Sequence, residues 1–74
     1  MSEDRDEVAA AIVRYLEAHP HAADTAAGIR DSWLGNSRPS AADVSSALER
    51  LIRLGSIERI QRATGAIFRA RRAG

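Results

Sequence analysis

The sequence predicts a small, mostly helical α+β fold in which three helices precede a two-stranded β-hairpin. Three observations carry this reading. Helix start and stop signals bracket three successive segments with apolar residues at helical spacing. After Gly55 the pattern changes to short runs bearing Ile57, Ile60, Ile67 and Phe68. The 74 residues, 45% of them hydrophobic, suffice for one core and no more. One domain over residues 1–74 is therefore expected, ordered from about residue 4 to about residue 72.

Helix 1 is expected over about residues 5–18. Asp4 and Glu7 have the D-x-x-E form of a helix start, and Val8, Ile12, Tyr15, Leu16 and His19 follow at helical spacing. The acids sit where the helix dipole favours them, and Pro20 opposes continuation past His19. Asp24 is placed to cap a short second helix from Thr25 to about Leu34, with Ala26, Ile29 and Trp33 on one stripe and Gly35-Asn36 as the stop. Trp33 is expected in the core rather than stacked on a ligand.

Ser40-Ala41-Ala42-Asp43 reads as a variant capping box. Val44, Ala47, Leu48 and Leu51 then form a narrow apolar stripe that Gly55 terminates. The hairpin follows, with strands at Ser56 to Gln61 and Ala66 to Arg71 around Arg62-Ala63-Thr64-Gly65. A lone hairpin is marginal in water, so Ile57, Ile60 and Phe68 are expected to pack on the helices.

Composition excludes several classes of function. The absence of cysteine removes disulfides, cysteine zinc sites and thiol chemistry. No apolar run reaches the roughly 20 residues of a membrane span, and the acidic start lacks a signal-peptide pattern, so a cytoplasmic location is expected. Acidic helix 1 also disfavours an anionic membrane surface. His19, His21 and Asp24 stand in one loop without a second ligand cluster, so their structural reading is preferred and no metal is expected. No nucleophile elbow or glycine-rich phosphate loop is present, so neither enzymatic activity nor a cofactor is expected.

Charge is unevenly distributed behind a formal net charge of +1. Six acids in residues 1–24 face only Arg5 and Arg14, whereas residues 50–74 hold seven arginines against Glu58 alone. Because the chain has no lysine, every cation is a planar guanidinium suited to phosphate or carboxylate.

The stretch Val44-Ser45-Ser46-Ala47-Leu48-Glu49-Arg50-Leu51-Ile52-Arg53-Leu54-Gly55-Ser56-Ile57-Glu58-Arg59 is similar to the recognition helix and first wing strand of many bacterial transcriptional regulators. With the preceding helices and the basic hairpin, nearly the whole chain resembles the winged helix-turn-helix superfamily. The resemblance implies a short third strand near His19 to Thr25, between helices 1 and 2. It places Arg38, Ser40, Ala41, Ala42, Ser45 and Ser46 at the groove-facing start of the recognition helix, and Arg59, Arg62 and Arg69 in the wing.

Chemistry assigns these residues different weights. Ser40, Ser45 and Ser46 are candidate phosphate donors, and Arg38 suits phosphate or guanine. The solvent face of helix 3 adds Arg50 and Arg53 but also Glu49, a mixed rather than basic surface. Arg62, beside Thr64-Gly65, is placed for a minor groove or a phosphate backbone, with Arg59 and Arg69 in support.

The expected function is double-stranded DNA binding by a regulator-like domain through helix 3 and the basic wing. The alternative is a protein-interaction module or assembly subunit, using acidic helix 1 or the small-residue face of helix 3. Regulators of this type usually dimerise, yet no helix follows the wing to form a dimer interface. Lacking a second domain or an obvious effector cavity, the chain is expected to need no small-molecule effector.

Overall fold

The computed structural model describes residues 3–35 and 39–71, with only the backbone of residues 3–5. The order is α1 (Glu3–Ala18), β1 (Ala23–Asp24), α2 (an α-helical turn, Ala26–Gly28, continuing as a π-helical stretch, Ile29–Trp33), α3 (Ala41–Arg53), β2 (Ile57–Arg62) and β3 (Gly65–Ala70). Three helical elements thus combine with an antiparallel sheet of strand order β1-β3-β2. The short third strand is present: Ala23 pairs with Arg69 and Asp24 with Phe68.

The α3 expectations hold in detail. Ser40 is the N-cap, its Oγ accepting from the Asp43 N–H at 3.1 Å, and Val44, Ala47, Leu48 and Leu51 are all buried. At the other end the Gly55 N–H donates to the Ile52 carbonyl at 3.0 Å and the Ser56 N–H to the Leu51 carbonyl at 2.9 Å. This is a Schellman closure, which needs a left-handed residue after the C-cap; Gly55 supplies it with φ +80°. Ser40→Ala is expected to destabilise the fold by about 1 kcal/mol. Urea unfolding checks this as a lower midpoint at unchanged m-value.

Helix α1 starts at Glu3, earlier than expected, and ends at Ala18. Val8, Ile12 and Leu16 are buried as its periodicity predicts, whereas His19 is exposed beyond the helix end.

Helix α2 departs from the sequence reading in three ways. Thr25, not Asp24, is its cap: the Thr25 Oγ1 accepts from the Gly28 N–H at 3.1 Å. Asp24 lies one residue too early, in β1, where its Oδ1 accepts the Thr25 N–H at 2.8 Å. The second half of α2 is π-helical, its Leu34 N–H reaching back to the Ile29 carbonyl at 3.1 Å. The wider turn brings Leu34 into the core beside Ile29. Trp33 is half-buried against the core rather than within it, stacked on Tyr15 at a ring-centroid distance of 4.7 Å and an interplanar angle of 11°.

The hairpin strands are each displaced by one residue from the expected spans, leaving a two-residue turn, Ala63-Thr64, between the closing pair Arg62 and Gly65. Directly paired residues share a sheet face and alternate residues point oppositely. Ile57, Arg59 and Gln61 therefore share the inner face with Ala70, Phe68 and Ala66, while Glu58, Ile60 and Arg62 share the outer face with Arg69, Ile67 and Gly65. Ile57 and Phe68 enter the core as expected, but Ile60 does not: it is half-buried on the outer face opposite Ile67.

The core joins α1, α2, α3 and the inner sheet face, and contains no buried polar side chain among the described residues. No described helix is long and apolar enough to cross a membrane.

Candidate nucleic-acid interface

The exposed side of α3 presents Ala41, Ala42, Ser45 and Glu49, with Ser46 half-buried beside them and Arg53 exposed near the C-terminal end. The Ser40 hydroxyl accepts the Asp43 N–H as the cap, which leaves its own O–H able to donate. The approach to α3 is tied to α2 by the Arg30 Nε, which donates to the Pro39 carbonyl at 2.7 Å. Asp43 lies in the first turn, where the helix dipole favours a carboxylate but phosphate does not. Arg38 lies outside the described residues, as does Arg72.

Arg50 is drawn away from this surface. Its guanidinium pairs with the Asp6 carboxylate of α1, although both side chains stay more than half exposed. Such an exposed pair adds little stability, yet it partly neutralises Arg50 and orients it toward α1.

The hairpin arginines do not form one patch. Arg59 lies on the inner face opposite Phe68, whereas Arg62 and Arg69 lie on the outer face. Arg69 is engaged by Glu58, its direct cross-strand neighbour, with Nε to Oε2 at 2.7 Å. Arg50 and Arg69 are thus held by acids, whereas Arg59, Arg62 and Arg53, like Arg14, Arg30 and Arg71 elsewhere, are exposed without an acidic partner among the described residues.

Two features were not assigned to the site from the sequence. Arg53, read there only as part of a mixed solvent face, is exposed on α3 without an acidic partner among the described residues. Leu54, the C-cap of α3, is 67% exposed beside a groove between α1 and α3. Its signal was a leucine outside the apolar stripe immediately before a helix-ending glycine.

The loop histidines and aspartate have local surroundings of their own. The His19 ring lies against Tyr15 at a centroid distance of 4.4 Å, tilted by 33°, on a ring that also stacks on Trp33, and Asp24, in β1, accepts the Thr25 N–H. Among the described residues, no group of three or more His, Cys, Asp or Glu side chains is placed to hold a metal ion. Comparison of the chain with protein-family models, curated proteins and solved structures finds no match in any of the three.

Proposed function

We propose that this chain is a winged-helix domain that binds double-stranded DNA in the cytoplasm, chiefly through the phosphate backbone. The proposal takes α2 and α3 as the helix-turn-helix and β2-β3 as the wing. The observation that carries it is a small-residue face on the N-terminal half of α3, together with a hairpin whose Arg59 and Arg62 have no acidic partner among the described residues. Small side chains at Ala41, Ala42 and Ser45 permit close groove approach, while guanidinium groups supply phosphate contacts.

Backbone binding is favoured over base readout because the exposed face of α3 offers Ser45, Ser46 and Glu49 rather than a row of arginines or amides that pair bidentately with bases. The proposed role is a regulator-like binding function without a catalytic step, cofactor or small-molecule effector. Titration of the isotopically labelled chain with a random-sequence duplex tests it, through shifts at α3 and the hairpin that weaken with salt.

A protein-interaction role is the second reading, and one observation favours it: exposed Leu54 at the edge of the groove between α1 and α3. An apolar side chain in that setting gains most from burial against another protein.

A further inference from the structure

Arg30 stands on the exposed side of α2, next to the buried Ile29. Its Nε donates to the Pro39 carbonyl at 2.7 Å. Pro39 immediately precedes Ser40, the N-cap of α3, so this bond holds the Arg30 guanidinium beside the start of α3. The exposed residues there are Ser40, Ala41, Ala42 and Ser45, the small-residue face described above.

That half of α3 lacks a cation of its own. From Ser40 to Glu49 the chain holds no arginine, whereas Asp43 and Glu49 are acidic. The dipole of the first turn is already met by Asp43 and the Ser40 cap, so positive charge for a phosphate has to come from a side chain. Arg30 has the chemistry to supply it. The bond to Pro39 uses only the Nε–H of the planar fork, which leaves the N–H groups of Nη1 and Nη2 for a ligand. Among the described residues, neither Asp31 beside it nor Asp43 on α3 forms an ion pair with it. A guanidinium already fixed through Nε also gives up less side-chain freedom on meeting a phosphate than a free one does.

We propose that Arg30 contacts a backbone phosphate beside the start of α3 through Nη1 and Nη2, while its Nε–H keeps the guanidinium in place by holding the Pro39 carbonyl. The proposal rests on the double-stranded DNA reading above and adds to it a contact from α2. Arg30 then has two roles, a clip between α2 and the approach to α3 and a charge that meets the duplex.

Fluorescence anisotropy of a labelled random-sequence duplex over a salt series, with the full chain, separates these roles. Arg30→Gln and Arg30→Ala are each expected to reduce the slope of log K against log salt by about one unit. Each is expected to weaken binding about tenfold at about 0.1 M salt, the effect of one lost phosphate contact. Arg30→Lys retains the charge but not the planar fork, so it is expected to keep the slope and bind less tightly than the wild type. Urea unfolding reads the clip separately, as a lower midpoint for Arg30→Ala at unchanged m-value.

Wild-type slopes in both uncharged variants, while Arg59→Ala or Arg62→Ala lowers the slope, would overturn the Arg30 contact alone and leave the residue a clip. A slope reduced by Arg30→Lys as much as by Arg30→Gln would overturn it too, because lysine retains the charge. A wild-type chain that binds no duplex at low salt would overturn the DNA reading and this contact with it.

Discussion

Ile57→Ala is expected to lower the unfolding free energy by about 3 kcal/mol, whereas Ile60→Ala, on the same strand, lowers it by about 1 kcal/mol or less. Ile57 is 2% exposed on the inner face of the sheet, where truncation loses burial and leaves a cavity between the hairpin and the helices. Ile60 lies on the outer face and loses mainly its cross-strand contact with Ile67. A 74-residue domain has a total stability on the order of 4 to 10 kcal/mol, so the first change removes a large part of it. Urea unfolding of both variants reads the difference as separated midpoints. Equal losses would contradict the strand register.

The same pair of residues shows where sequence reasoning succeeds and where it fails. Ile57 and Ile60 are three residues apart, a spacing that joins one face of a helix but opposite faces of a strand. Grouping them by hydrophobicity alone therefore put one residue on the wrong side of the sheet. The face each occupies follows from pairing around the Ala63-Thr64 turn.

Helix α3 was legible because its determinants are local: the Ser40 cap, the apolar stripe and the glycine closure all act within a few residues. The π-helical half of α2 was not legible, since it depends on bringing Leu34 and Ile29 into a core shared with the other helices. Of the candidate site, positions could be placed on their elements, but their partners could not. Arg50 meets an acid 44 residues away, a tertiary contact without a local signature. Arg69 meets Glu58 only because the hairpin register sets them opposite each other.

Replacement of both Arg59 and Arg62 by alanine is expected to reduce the salt dependence of duplex binding by about two units in the slope of log K against log salt. Each guanidinium is exposed without an acidic partner among the described residues, so each is proposed to contact one phosphate. Affinity at low salt should fall in parallel and to a similar extent on unrelated sequences, because phosphate contacts do not read bases.

Arg69→Ala supplies the comparison. Its guanidinium is already engaged by Glu58, so its removal is expected to change the slope by less than either of the other single substitutions. Fluorescence anisotropy of a labelled duplex over a salt series measures the three single alanine variants at Arg59, Arg62 and Arg69 and the Arg59 and Arg62 double variant. An unchanged slope in the Arg59 and Arg62 double variant would remove the wing from the proposed interface.

The most direct test of the nucleic-acid reading is a two-dimensional amide NMR titration of the labelled chain with a random-sequence duplex, first at low salt and then at physiological salt. Shifts clustered at Ser40 to Ser46 and at Arg59 to Gly65, with α1 little affected, are expected, together with their loss as salt rises. An unchanged spectrum at low salt, or shifts confined to α1 and Leu54, would contradict nucleic-acid binding through α3 and the hairpin.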